Sequence, residues 1–199
     1  MTTTSHTFNW NVPLTEGKMV YGNRVPDEVL VPVGTYYIGD PCYPIGDSPI
    51  YEEAWANTGY STPAVYRSEQ GIVYIDATSY GDGGYRGSNG HEYDVDAGVI
   101  SVISREIIQE WMDSQGDFTP LEDTIYGGKL HTFLHPVRCI FGDGEFEFQD
   151  MNGHDILRIN TRGDDEEEDE EDEDTNYDDK SDEDEEDDED EDNRQKQTK

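Results

Sequence analysis

The C-terminal part of the chain is a run of acidic residues, and this run limits how much of the 199-residue sequence can fold. Between Asp164 and Asp192 there are 24 acidic residues and a single base, Lys180. Like charges repel one another, and with almost no apolar area to bury, nothing offsets the conformational entropy lost on ordering. The sequence therefore predicts a disordered polyacidic tail over residues 163–199.

The rest of the chain is also acidic. Residues 1–163 contain 24 acidic and 9 basic residues, a net charge of −15 at neutral pH, so their field adds to that of the tail. A protein that binds the nucleic-acid backbone normally carries a cluster of lysines and arginines, and this sequence has none apart from the sparse NRQKQTK end. We therefore expect basic proteins as partners and no direct contact with nucleic acid.

The N-terminal sequence and the cysteine content predict a soluble, intracellular protein. The polar start TTTSHTFNW lacks the charged-then-apolar order of a signal peptide, and no apolar run approaches the roughly 20 residues that cross a bilayer. Cys42 and Cys139 are too few for a disulfide framework. We expect a location in the cytoplasm or nucleus of a host cell, or in a virion, without secretion or membrane binding.

Residues 27–162 have the pattern of short strands broken by turns. Segments such as VLVPVGTYYIG, GIVYIDAT and GVISVIS are rich in β-branched and aromatic residues and are separated by glycine and proline. This pattern predicts a mainly β fold of the α+β class, with an antiparallel sheet or a small sandwich or barrel. Residues 1–26 are expected to form a partly ordered N-terminal extension whose KMVYG segment can join a sheet edge.

Two segments carry helix signals. PIYEEAWANT, at residues 49–58, precedes Gly59, and REIIQEWMDSQ follows Ser104 and precedes Gly116. Serine is a common N-cap and glycine a common helix terminator. The sequence therefore predicts one or two short helices, with Ser104 as the N-cap of the second.

Two similar stretches, GDGGYRGSNGHEYDV and GDGEFEFQDMNGHDILRI, each contain an Asn-Gly pair between strand-like segments. Asn152-Gly153 is typical of a type I′ hairpin turn, and Asn89-Gly90 links its own pair of strands in a similar way. The likeness has two explanations, shared turn chemistry or an internal duplication, and shared turn chemistry is favoured.

Four aspartates set among apolar and glycine residues are candidate metal ligands: Asp40, Asp82, Asp94 and Asp96. Residues two apart in a strand share a face, so Asp94 and Asp96 would point the same way, and Asp82 could add an oxygen from a glycine-rich loop. The alternative is that each carboxylate accepts hydrogen bonds from nearby backbone N–H groups in a turn. The sequence leaves two possibilities: the protein binds a divalent cation at these aspartates, or it has no cofactor.

The tail is the candidate partner-binding segment. Its acidic side chains are represented along its length by Asp164, Glu168, Glu173, Asp182, Glu186 and Asp190. Thr175 and Ser181 each have an acidic residue three positions downstream, which acidophilic kinases favour, and a phosphate on either would add negative charge. The alternative role for the tail is to keep the protein soluble.

The motifs GTYYIGDPCY, a following tryptophan helix, YGDGGY and YDVDAGVI lie in this order between Gly34 and Ile100. In these motifs the chain resembles a group of uncharacterised proteins from tailed phages, large DNA viruses and some bacteria. The resemblance covers about a third of the chain and implies a compact β-rich domain in a viral setting, but no activity. The acidic tail and the sequence after Ser104 depart from that pattern.

Taken together, these features favour a non-enzymatic interaction protein whose acidic domain and tail bind or shield basic, nucleic-acid-binding proteins. No GxSxG, P-loop or GxGxxG formula is present, and we assign no catalytic residue. One alternative is a small metal-binding or metal-assisted enzymatic domain that uses the four aspartates. The other is a salt-adapted or structural protein with a solubilising tail.

Overall fold

The computed structural model of the chain describes residues 17–59, 61–142 and 144–162, apart from the side chains of residues 123 and 124. These residues belong to one unit, Met1–Asp165. The strands are β1 Met19–Tyr21, β2 Glu28–Val31, β3 Gly34–Gly39, β4 Ala64–Ser68, β5 Gly71–Ala77, β6 Gly83–Arg86, β7 Glu92–Val95, β8 Val99–Ser104, β9 Lys129–Phe133, β10 Val137–Gly142, β11 Glu145–Gln149 and β12 Asp155–Asn160. The α-helices are α1 Cys42–Ile45, α2 Pro49–Thr58, α3 Arg105–Gln115 and α4 Leu121–Thr124.

The strands form antiparallel sheets. A six-stranded sheet has the order β1-β4-β5-β8-β3-β9, and a four-stranded sheet has the order β12-β11-β10-β2. The β6–β7 hairpin forms a third, two-stranded sheet, which meets β12 through a bridge between Gly87 and Ile159. This arrangement confirms the predicted mainly antiparallel β fold with short helices, and the described strands do not close into a barrel.

The central strands of the larger sheet are buried on both faces because alternate side chains enter two different cores. In β8, Ile100 and Val102 join a core shared with the four-stranded sheet, whereas Val99 and Ile103 join a second core that includes α3. The larger sheet is therefore the middle layer, with the four-stranded sheet on one side and the helices on the other. All six residues of β8 are buried, which explains its continuous VISVIS sequence.

Both predicted helices are present. α2 begins after Ser48, whose hydroxyl accepts a hydrogen bond from the Tyr51 N–H, and ends at Gly59 in the left-handed conformation. α3 ends in the same way at Gly116, with φ +76°. Ser104 is the N-cap residue of α3, as predicted, but its side chain makes no capping hydrogen bond. Its hydroxyl instead accepts a hydrogen bond from the Ile72 N–H in the neighbouring strand, at 2.8 Å.

The two Asn-Gly hairpins share one turn geometry, and it differs from the predicted type I′ turn. In the second hairpin the Asp150 N–H donates to the His154 carbonyl and the Gly153 N–H donates to the Asp150 carbonyl. These bonds enclose a three-residue loop in which Gly153 has φ +87°. The first hairpin has the same two bonds: the Gly87 N–H donates to the His91 carbonyl, and the Gly90 N–H donates to the Gly87 carbonyl. The type I′ prediction is therefore wrong, because the loop holds one more residue than such a turn.

β1 lies at the edge of the six-stranded sheet, paired with β4, as expected for the KMVYG segment. The predicted tail, over residues 163–199, lies outside the described residues. Within residues 17–59, 61–142 and 144–162, no helix combines the length and the apolar character that a bilayer crossing requires.

Candidate functional site

The Asp40 carboxylate organises the loop that follows β3. It is fully buried, and it accepts hydrogen bonds from three backbone N–H groups, those of Cys42, Asp96 and Ala97, each at 2.7 Å. The last two groups lie just after β7, so one carboxylate joins the start of α1 to the turn between β7 and β8. Asp40 therefore has the role of a turn-forming carboxylate that satisfies buried backbone donors.

The other three predicted aspartates lie near this loop with exposed side chains. Asp82 precedes β6, Asp94 is in β7 and Asp96 follows it. Burial, a hydrogen bond with Asp40 and the negative charges of Asp96 and Asp82 together raise the pKa of the Cys42 thiol to about 12. Cys42 therefore stays protonated at neutral pH, which is unsuitable for a nucleophilic cysteine.

The four aspartates do not form a metal site in this structure. In the described part of the chain, no three histidine, cysteine or acidic side chains come together in a group that could hold a metal ion. Both oxygens of Asp40 face backbone N–H donors, and an oxygen of Asp96 accepts a hydrogen bond from the Tyr43 hydroxyl at 2.5 Å. These oxygens already accept hydrogen bonds, and the described residues offer no ligand set for the metal hypothesis.

Beside the Asp40 loop is a pocket of about 200 Å³ that we call the aromatic pocket. It lies where α1, α3 and the segment from α4 to β9 meet. Its lining residues are Tyr37, Tyr43, Pro44, Ile108, Trp111, Met112, Gln115, Asp117, Leu121, Ile125 and Tyr126. Most of these are apolar or aromatic, and among the described residues that line the pocket none is basic.

Two glycines allow the rings of the aromatic pocket to come close to the backbone. A Cβ on Gly127, which has φ +68°, would overlap the Tyr43 ring, and a Cβ on Gly128 would overlap the Tyr37 ring. The Tyr37 hydroxyl lies 3.0 Å from the Asp40 carbonyl oxygen and 3.1 Å from that of Tyr126, so it joins the two loops. Tyr43 and Tyr126 pack edge to face, with ring centroids 4.8 Å apart.

The rim of the aromatic pocket is exposed, aromatic and acidic. The Tyr126 side chain is 65% exposed, and Phe118, next to the lining residue Asp117, is 78% exposed. Hydrogen bonds from the Thr119 side chain and from the Thr119 N–H, at 3.0 Å, lower the pKa of the Asp117 carboxyl, which stays ionised. Large exposed aromatic side chains beside a pocket are typical of binding surfaces.

Several arginines of the folded unit form ion pairs with carboxylates of the same unit. Arg158 lies within 3.5 Å of carboxylates of three residues, Glu145, Glu147 and Asp155. Arg138 pairs with Glu28 at 3.4 Å, and Arg105 pairs with Glu122 at 2.7 Å. The positive charge of these arginines is therefore engaged internally, while other acidic side chains stay exposed.

The sequence identified some of these residues and missed others. It singled out the aspartates but not the aromatic pocket, whose members Tyr43, Trp111 and Tyr126 come from three distant segments. Trp111 lies in a segment that the sequence marked only as a helix. The tail residues Asp164, Glu168, Glu173, Asp182, Glu186 and Asp190, and the candidate phosphorylation sites Thr175 and Ser181, lie outside the described residues.

Comparison with known proteins adds no identification. No protein-family model, no curated protein and no solved structure matches this chain. The resemblance to phage and large-DNA-virus proteins therefore stays a prediction, based on the residues between Gly34 and Ile100.

Proposed function

We propose that this protein is a non-enzymatic interaction protein that binds basic proteins, including proteins that bind nucleic acid. The acidic folded unit and the polyacidic tail would act together, attracting a basic partner over a distance and covering the surface that the partner otherwise offers to nucleic acid. The proposal includes an intracellular location. In the viral setting that the sequence resemblance implies, the partner would be a basic protein of the host or of the virus.

One observation carries this proposal. The folded unit keeps an excess of acidic side chains, since residues 1–163 contain 24 acids and 9 bases, and three of these bases, Arg105, Arg138 and Arg158, are paired with acids of the same unit. The surface around the Asp40 loop adds exposed carboxylates at Asp82, Asp94 and Asp96. The tail, with 24 acids between residues 164 and 192, adds further negative charge.

The proposal can be tested by capture from a host lysate. The full chain, a chain truncated after Arg162, and a full-length variant with the acids of residues 164–192 replaced by Asn and Gln are each immobilised. Each is washed at about 0.05 M and about 0.5 M salt, because exposed charges are strongly screened at the higher concentration. The amide variant is the matched control, since it keeps the length of the tail and removes its charge.

We expect the full chain to retain basic proteins at low salt and to release them at high salt, and we expect the two tail variants to retain fewer. The proposal is wrong if the full chain retains no basic protein at low salt. It is equally wrong if the retained proteins are not basic and stay bound through the high-salt wash.

A further inference from the structure

We propose that the aromatic pocket receives one arginine side chain of the basic partner. This inference rests on the proposed function and names the contact by which the folded unit would recognise such a partner. Three properties of the pocket carry it: its size, its aromatic walls and the charge at its rim.

The size of the aromatic pocket matches a single side chain. Its volume of about 200 Å³ is below the range of about 300 to 1,000 Å³ that is usual for small-molecule and cofactor sites. Its inner wall is built from Tyr37, Ile108 and Leu121, all of which are buried. A long side chain can place its methylene groups against such a wall while its charged end stays near water.

The aromatic residues of the pocket fit a cation. Tyr43, Trp111 and Tyr126 line it, and the 65% exposure of Tyr126 leaves much of that side chain open to a ligand. A guanidinium or ammonium group is attracted to the face of an aromatic ring. The hydrogen bond with Asp96 raises the pKa of the Tyr43 hydroxyl, so this ring stays a neutral phenol at physiological pH.

The charge at the rim favours arginine. Asp117 lines the pocket and is ionised. Asp96 does not line the pocket, but its carboxylate accepts a hydrogen bond from the hydroxyl of the lining residue Tyr43. A planar guanidinium can stack on an aromatic ring and donate hydrogen bonds to a carboxylate at the same time, whereas an ammonium is a compact, strongly hydrated charge. The exposed Phe118 ring, next to Asp117, offers additional apolar contact to the residues that flank the arginine.

The test is an NMR titration of the full ¹⁵N-labelled chain with Nα-acetyl-arginine amide. Nα-acetyl-citrulline amide, which has nearly the same shape without the charge, is the matched control ligand, and Nα-acetyl-lysine amide is a third arm. The protein variants are D117N and Y126S, with E110Q as the control. Glu110 is exposed on α3 but does not line the aromatic pocket. E110Q therefore removes one negative charge without altering the pocket.

We expect the arginine ligand to shift signals of pocket residues, including the Trp111 indole N–H, in a saturable way. The citrulline ligand should shift them far less, and the lysine ligand should bind more weakly than the arginine ligand. D117N and Y126S should each raise the dissociation constant for the arginine ligand by about threefold or more, and E110Q should change it much less.

Two results would overturn the inference: shifts spread over the whole acidic surface without saturation, or equal shifts with arginine and citrulline. Neither affects the proposed function, which the lysate capture tests separately. Conversely, if the capture shows no basic partner while the titration saturates at the pocket, the proposed function fails and the arginine site remains.

Discussion

At the scale of single residues, two buried aspartates of this protein differ in what surrounds the carboxylate. Asp40 accepts hydrogen bonds from three backbone N–H groups. Asp76, at the end of β5, accepts one from the Tyr74 hydroxyl at 2.9 Å and one from the Ala77 N–H at 2.8 Å. Burial raises the pKa of Asp76 to about 6 despite these two bonds.

The pKa of Asp76 predicts that its substitution changes how stability depends on pH. The folded protein holds this proton more tightly than the unfolded chain, so the group stabilises the fold at low pH, and that stabilisation is lost as the pH rises through about 6. Compared with wild type, D76N should therefore gain about 2 kcal/mol of unfolding free energy as the pH rises from about 4 to about 7.

Urea unfolding of both proteins across this pH range measures the difference. E69Q, which changes an exposed carboxylate in the β4–β5 turn, is the control and should show little of this gain. A constant difference between D76N and wild type would mean that Asp76 has an ordinary pKa in the folded protein.

At the scale of elements, the aromatic pocket depends on the close approach of two segments. The glycines before β9 lie against β3 and α1, where Gly39 and Gly128 are close enough that a Cβ on Gly39 would lie 2.6 Å from the Gly128 Cα. The Asp94 N–H donates to the Gly127 carbonyl at 2.7 Å, which fixes the same segment to β7. The position of Tyr126 follows from these backbone contacts.

Substitution of Gly128 should therefore destabilise the fold. In G128A the added Cβ would meet the Tyr37 ring and would lie 2.5 Å from the Ile38 carbonyl oxygen, so the backbone or the ring must move. We expect a loss of about 1 to 3 kcal/mol in the free energy of unfolding, typical of overpacking. Urea unfolding measures this loss.

Gly142, in β10, is the matched control for this substitution. A Cβ there meets no atom within 4 Å, and G142A should change stability by no more than about 0.5 kcal/mol. Equal losses of unfolding free energy in G128A and G142A would show that the fold does not require a residue without a Cβ where Gly128 meets the Tyr37 ring.

Local sequence signals predicted the elements better than the site. Composition and turn residues were enough to predict the antiparallel strands, and the glycines at 59 and 116 correctly marked the ends of α2 and α3. The pocket could not be predicted in this way, since a local pattern shows which face of an element is apolar but not which elements meet. Ser104 was correctly placed at the N-cap of α3, but its side chain bonds to the Ile72 N–H of the neighbouring strand instead of capping the helix, a tertiary contact that a local pattern does not show.

At the scale of the whole molecule, charge is the dominant property. The chain carries a net charge of −35 at neutral pH, and the acidic residues of both the tail and the first 163 residues contribute to it. Such a field acts over about 10 Å at 0.1 M salt, and it weakens as salt is added. Recognition of a basic protein should therefore combine a salt-sensitive attraction with short-range contacts at the aromatic pocket.

The proposed binding of basic partners through charge is tested most directly by the affinity of the full chain for an arginine-rich peptide as a function of salt. A peptide of the same sequence with citrulline in place of arginine is the control. We predict saturable binding of the arginine peptide that weakens by at least about tenfold between about 0.05 M and about 0.5 M salt, with little binding of the citrulline peptide. Equal binding of the two peptides, or an affinity that does not change with salt, would show that charge does not drive the binding of basic partners.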